Sequence, residues 1–300
     1  MITPLGIGTW TLTPTGGLWP SNPVTPRVAS DIFDYVSKSS TVTMIDSAVA
    51  YGNGLADTLL SENFFKFHLD KNRKCLNICT KIGRSVENIK DLITTEAQFI
   101  ASVTNSLRLR VFNVLAIHDA DLFEVSLTRK MAAYLSALKE EGEIRQWGLS
   151  LSRPVILEEL SEKPDFIQCN FNILDQRLFE SGLYEWCNVN NIAIWARTIF
   201  LNGSLMGDTP LKRFHGKNNN LEEEFKKLRT ELANIFPLSM STIALRYVIS
   251  FPNVNPLVGI TSKEMLIQNI ESVEMGAFSQ NELGVLNEIS SFYTARLFTS

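Results

Sequence analysis

The stretch Val42-Thr-Met-Ile-Asp-Ser-Ala-Val-Ala-Tyr-Gly-Asn-Gly54, VTMIDSAVAYGNG, decides how the chain is read. Its first five residues make the short apolar run of a buried strand. The run then ends on an acid, Asp46, and Tyr51 follows against a Gly-Asn-Gly turn. Strand packing calls for neither residue, because a buried carboxylate without a partner is costly. The meaning of the acid and the tyrosine depends on how often the same pattern recurs.

It recurs along the whole chain. Short β-branched or apolar runs, each followed by a polar residue or glycine, predict strands at Leu5 to Trp10, Val42 to Asp46, Leu76 to Lys81, Val114 to His118, Arg145 to Ser150, Phe166 to Asn170, Ile192 to Arg197 and Pro256 to Gly259. Between them, RVASDIFDYVSKS, AQFIASVTNSLRLR, RKMAAYLSALKEEGE, LEEEFKKLRTELANIF and KEMLIQNIESV place apolar residues three and four apart, the period of amphipathic helices. Eight strands alternating with helices predict an α/β fold, a closed (β/α)8 TIM barrel forming one domain over residues 1–300. An open doubly wound sheet is the alternative, and no G-x-G-x-x-G follows any strand to support it.

Composition bounds the partners. The chain has 300 residues, 45% of them hydrophobic, and a net charge of −4. With a pI near 5.6 and no long basic run, it lacks the clustered Lys and Arg that nucleic acid or an anionic membrane requires. Small molecules are the expected partners, with no nucleic acid and no membrane. Cys75, Cys79, Cys169 and Cys187 show neither C-x-x-C spacing nor nearby histidines, so they read as buried reduced thiols with no metal site. No apolar run reaches the ~18 residues of a membrane span, and MITPLGIGTW lacks the basic start and apolar stretch of a secretion signal, so a cytoplasmic protein is expected.

In a barrel of this kind the carboxyl ends of the strands converge on one face. Those ends supply Trp10, Asp46, Lys81, His118, Ser150, Gln168 with Asn170, Arg197 and Gly259. Singly, Asp46 reads as a cap, Lys81 as a strand-end charge and His118 as a hydrogen-bonded core residue. Together, an acid, a lysine and a histidine ending three consecutive strands are costly unless they satisfy one another. Tyr51 can fold back beside them as a proton donor. One ammonium about 4 Å away is worth roughly 4 kcal/mol at an effective dielectric of ~20, enough to bring a phenol of pKa ~10 near neutrality. Asp46 would hold the lysine, and a neutral His118 would orient a carbonyl oxygen or share the proton. A proton donor over an apolar mouth, without metal ligands or a covalent nucleophile, suits carbonyl reduction by a nicotinamide hydride.

These residues resemble the aldo-keto reductase superfamily from LGIGTW to GITSKEMLIQNI, most of the chain. The family pattern D-[TS]-A-x-x-Y-G matches Asp46 to Gly52, TKIG supplies Lys81 and LAIHDAD supplies His118. The resemblance implies that Tyr51, Lys81, Asp46 and His118 are catalytic. By GEIRQWGLS and DFIQCNFNILDQR it implies that Ser150 and Gln168 bind the nicotinamide amide. By IWARTIFLNGSLMG it implies that Arg197 stacks on the nicotinamide ring and that Thr198 and Phe200 lie along the pyrophosphate. The resemblance further implies that Gly259, Thr261, Ser262, Lys263 and Asn269 complete the cofactor site and that Trp10 lines the substrate pocket with Tyr51 and His118. The family's usual cofactor is NADPH, so NADP(H) is expected first and NAD(H) second. The substrate expected is a small-molecule aldehyde or ketone, or a sugar-like alcohol.

The sequence departs from the family in places. Leu151 stands where an asparagine often follows the serine of the fifth strand, and Met265 and Gly259 match an arginine and a lysine that grip the 2′-phosphate. Thr261 and Glu264 read equally as a capping box. The chain opens almost at its first strand, so no β-hairpin is expected across the lower end of the barrel. Trp19 reads equally as a second aromatic wall or as plain packing, DTPLKRFHGKNNNL as a cover for the cofactor, and the short tail SSFYTARLFTS as a small lid. His68 and His215 are expected at the surface, and KNRK and KKLR as solvated faces. Two other readings stay open: a cofactor-binding regulatory or interaction subunit with little turnover, and Schiff-base chemistry at Lys81.

Overall fold

A computed structural model describes residues 3–13, 24–64, 76–86, 88–158, 160–207 and 221–298. Trp19, Cys75, His68, His215 and residues 208–220 lie outside the described residues. The eight strands are β1 Leu5–Gly8, β2 Val42–Asp46, β3 Asn77–Ile82, β4 Val114–Ile117, β5 Gln146–Ser150, β6 Phe166–Asn170, β7 Ala193–Arg197 and β8 Val254–Gly259. All neighbouring strands pair in parallel and β8 closes on β1, so the sheet is a barrel without edges. Gly8 stands level with both Asp46 and Gly259, and Asp46 with Cys79, which fixes where the ends meet.

The helices follow from local signals. In α1, Pro26–Lys38, the Thr25 side chain accepts the Val28 N–H, Pro26 occupies the first turn, and Ala29, Ile32, Phe33 and Val36 face the strands. In α3, Glu96–Arg108, Thr95 and Gln98 form a reciprocal capping box. The others are α2 Leu55–Phe64, α4 Val125–Glu140, α5 Arg177–Glu180, α6 Leu183–Val189, α7 Leu221–Ile235, α8 Met240–Ile249, α9 Lys263–Glu274 and α10 Gln280–Phe298. No single helix among the described residues is long and apolar enough to cross a membrane.

Two places differ from the sequence-based expectation. Trp10 does not extend β1. The backbone turns at Thr9, whose N–H donates to the Asp46 carbonyl at 2.9 Å, and Trp10–Leu12 forms a single 3-10 turn. Between β5 and β6 the described residues form no helix. There Asp121 accepts the backbone N–H groups of Ser152 and Arg153, and Pro154 follows, so the chain crosses as coil.

The core has two parts. A large outer cluster fills the space between strands and helices, and a smaller one fills the barrel interior with Met44, Cys79, Val114, Ala116, Phe166, Trp195 and Leu257. Two aromatic rings fit inside only because the facing positions are glycine. A Cβ on Gly148 would lie 2.5 Å from the Phe166 ring, and one on Gly6 would lie 2.8 Å from Leu257 and 2.9 Å from Trp195. Gly148→Ala should therefore overpack the interior and destabilise the fold by about 1–3 kcal/mol. Denaturant unfolding should show that loss, and adding Phe166→Leu should restore part of it.

Candidate active site

Alternation along a strand sends successive side chains to opposite faces of the sheet. Asp46 and Lys81 line the mouth of the barrel, while their chain neighbours Ser47 and Thr80 point outward to α2. The Lys81 ammonium forms a buried ion pair with Asp46 Oδ2 and also donates to the Ser47 carbonyl at 2.8 Å. Gln168 Nε2 donates to Asp46 Oδ1 at 2.7 Å, so both carboxylate oxygens have partners. Lys81, 1% exposed, is the most deeply buried charge among the described residues. Burial works against the ammonium, but Asp46, with smaller help from Tyr51 and Cys79, outweighs it and holds the lysine pKa above its ordinary value.

Tyr51 leaves the turn after β2 half-buried, with its ring 4.8 Å from the Lys81 ammonium, 6.1 Å from the His118 ring and 6.3 Å from Trp10. The expected phenol near neutrality is not what results. Burial is the largest influence and raises the Tyr51 pKa, Lys81 lowers it, and Asp46 raises it again. The ammonium is already engaged by the carboxylate, so little of its field reaches the phenol unopposed. Burial, with Lys81 next, pushes the His118 pKa well below its ordinary range, with Asp119 opposing, so the imidazole is neutral at pH 7.

Trp10, Asp46, Tyr51, Lys81, His118 and Gln168 share a cavity of about 450 Å³ with Arg197, Thr198, Phe200 and Gly259. Arg197 donates to the Leu151 carbonyl. The residue standing in place of an asparagine thus contributes its backbone, while its side chain is fully buried. Thr198 has φ 61°, a strained left-handed conformation for a β-branched residue, and two hydrogen bonds hold it there. Its hydroxyl donates to Asn170 Oδ1 at 2.9 Å, and Asn172 Nδ2 donates to its carbonyl at 3.1 Å. Ser150 and Gln168 sit level on adjacent strands, and Ser150 Oγ and Gln168 Oε1 are buried without partners.

Thr261, Ser262, Lys263 and Asn269 are not on the cavity wall. Ser262, rather than Thr261, caps α9, accepting the Met265 N–H at 3.2 Å, so the capping box read from Thr261 and Glu264 does not form. The Lys263 ammonium lies 5.3 Å over the Tyr35 ring, and the buried Asn269 Nδ2 has no partner. Cys79, Cys169 and Cys187 are free and buried, and no group of metal ligands occurs among the described residues.

Two groups escape a reading of strand ends. Asp119, at φ 50°, accepts from Arg84 Nε and from Ser152 Oγ, each at 2.7 Å, and both Arg84 and Asp119 line the cavity beside His118. The signals were present in TKIGR and HDAD, but only the fold brings the two loops together. Asp57 on α2 is the other: it stands alone among the apolar residues of LADTLL yet is 4% exposed.

The sequence model of the Aldo/keto reductase family matches residues 4–291. The chain belongs to this family. An uncharacterized oxidoreductase of Bacillus subtilis (strain 168), YqkF, is 24% identical over 272 residues, 83% of this chain and 87% of that protein. An aldo-keto reductase of Bacillus halodurans in its holo form superposes with a TM-score of 0.76 at 23% identity, covering 96% of this chain and 92% of that one. An aldo/keto reductase of Klebsiella pneumoniae, solved with NADP and acetate, gives 0.67 at 17% identity over 95% and 90%. The aldo/keto reductase fold is the closed eight-stranded barrel described above.

Breaking the buried pair from one side should be worse than removing it. Lys81→Met leaves Asp46 uncompensated and should cost roughly 3–5 kcal/mol, whereas adding Asp46→Asn should recover much of that, as denaturant unfolding would show. His118 should stay neutral from pH 8 to 5 in NMR titration. Because its folded pKa lies below the ordinary ~6.5, the unfolded chain takes up the proton first, so its contribution to stability falls as pH drops below that value.

Proposed function

We propose that this protein is an NADP(H)-dependent oxidoreductase that reduces an aldehyde or ketone, or oxidises a sugar-like alcohol, with Tyr51 as general acid and base, acting in the cytoplasm. One observation carries the reading. Tyr51, Lys81, Asp46 and His118 line one cavity together with Gln168, whose Oε1 is buried without a partner, as is Oγ of Ser150 level with it on the adjacent strand.

The residues fit a nicotinamide. The Ser150 hydroxyl and the Gln168 carbonyl, level on adjacent strands and unsatisfied, suit a carboxamide, which both accepts and donates. Arg197, held by Leu151, forms a flat surface beside them for stacking, and the stretch from Thr198 to Phe200 continues along the cavity. The start of α9, with Lys263, Thr261 and Ser262, suits a phosphate, and Asn269 offers an unpartnered amide nearby. The Klebsiella pneumoniae relative, solved with NADP, supports that choice of cofactor. When bound, the nicotinamide supplies or accepts the hydride.

This chain's own residues then handle the proton. Tyr51 donates its hydroxyl hydrogen to the substrate oxygen as negative charge builds there. An alkoxide is more basic than a phenolate, so even a phenol with a raised pKa transfers its proton downhill. Lys81 stabilises the phenolate that remains, and Asp46 keeps the ammonium in place. Neutral His118 donates a hydrogen bond to the same oxygen without competing for the proton. Trp10 walls the substrate side, and the Arg84–Asp119 pair places a donor and an acceptor where substrate hydroxyls would lie, which supports a polar substrate.

Tyr51→Phe should lower carbonyl reduction by about 10²- to 10⁴-fold and leave NADPH affinity unchanged. Full turnover in that variant would overturn the assignment. In fluorescence titration NADPH should bind more tightly than NADH, and Lys263→Ala should narrow that difference.

A further inference from the structure

We propose that Asp57 is a positioning residue for the Asp46–Lys81 pair, clamping from outside the barrel the two residues that flank it in the chain. The proposal deepens the function proposed above and rests on it for its kinetic arm. Ser47 directly follows Asp46, and Thr80 directly precedes Lys81. Both turn their hydroxyls outward to the same carboxylate: Ser47 Oγ donates to Asp57 Oδ1 at 2.6 Å, and Thr80 Oγ1 donates to Asp57 Oδ2 at 2.8 Å. Each oxygen of one side chain thus holds one strand end.

The clamp reaches the site through the backbone. The Ser47 carbonyl accepts both the Lys81 ammonium, at 2.8 Å, and the Lys81 backbone N–H, at 3.1 Å. The Ser47 N–H donates to the Cys79 carbonyl at 2.8 Å, and Thr9 Oγ1 donates to Ser47 Oγ at 3.0 Å, which ties in the end of β1. Fixing Ser47 and Thr80 therefore fixes the carbonyl and the strand spacing that hold the lysine under Tyr51.

Docking α2 on the barrel does not require an acid. Ala56, Leu59 and Leu60 already bury that face of the helix, and an apolar residue at position 57 would extend it. Asp57 is buried and has no salt-bridge partner among the described residues, a costly arrangement to keep for packing alone. Burial raises its pKa to about 6; Ser47, Thr80 and the Lys81 ammonium oppose that, and Asp46 adds to it. At neutral pH the carboxylate can thus accept from both hydroxyls at once, which an amide cannot do.

Two variants test the idea: Asp57→Asn, which removes the charge at nearly constant volume, and Thr80→Val, which removes one hydroxyl and leaves the carboxylate. In nitrogen-labelled protein, the Lys81 ammonium hydrogens should exchange with solvent roughly three- to tenfold faster in each folded variant, the scale of one lost hydrogen bond. Carbonyl turnover should fall in kcat by a similar factor, with KM and NADPH affinity unchanged. A purely structural role would lower the melting temperature and leave exchange and kcat at wild-type values, and that result would overturn the proposal. If Asp57→Asn fails to fold, Thr80→Val alone decides. Should the wild type turn over no carbonyl or alcohol, the proposed function fails while ammonium exchange still decides the role of Asp57.

Discussion

The buried ion pair between Asp46 and Lys81 is the constraint around which the mouth of the barrel is organised. Taking both charges out of water is unfavourable, and their attraction offsets it only with close geometry and further hydrogen bonds. The fold meets that condition from three strands: Asp46 at the end of β2 with the Ser47 carbonyl just after it, the ammonium from β3 and the Gln168 amide from β6. The same ammonium then shapes its neighbours. It helps burial keep His118 neutral, and it lowers the Tyr51 pKa, while burial and Asp46 raise it.

Rigidity comes from below. With Phe166 and Trp195 inside the barrel and glycine at the facing positions, the interior is filled by side chains close to the layer of Asp46 and Lys81. A packed interior moves little, so strand ends keep their spacing. Between β5 and β6, where the described residues form no helix, backbone N–H groups donating to Asp121 and Arg197 donating to the Leu151 carbonyl anchor the chain instead. The Leu151 backbone, just after β5, thus takes part in placing Arg197.

An identity below a quarter alongside a TM-score of 0.76 shows how little of the sequence this architecture specifies. Volume and alternation suffice for the barrel, and many residue sets provide them. Chemistry is narrower, because it resides in a few side chains at one face of a fold that hosts many activities. Leu151 illustrates the difference: its side chain serves the core, and its backbone serves the site.

Eight strands, their alternation with helices and the set of polar residues at their ends were determined by local pattern alone, and the closed barrel was the favoured of two arrangements. A strand's period of two and a helix's period of 3.6 are written into short windows, and the end of an apolar run is visible without knowing what lies across from it. Asp46, Lys81 and His118 were legible for that reason. Tertiary structure decided the rest. The pairing of Arg84 with Asp119, and of Asp57 with Ser47 and Thr80, joins segments whose approach depends on barrel closure. The turn at Thr9 that displaces Trp10 from β1 depends on a hydrogen bond to the neighbouring strand. The direction of the Tyr51 pKa shift reversed the simple expectation, because desolvation is a property of the whole surroundings, and no pair of residues in a sequence can report it.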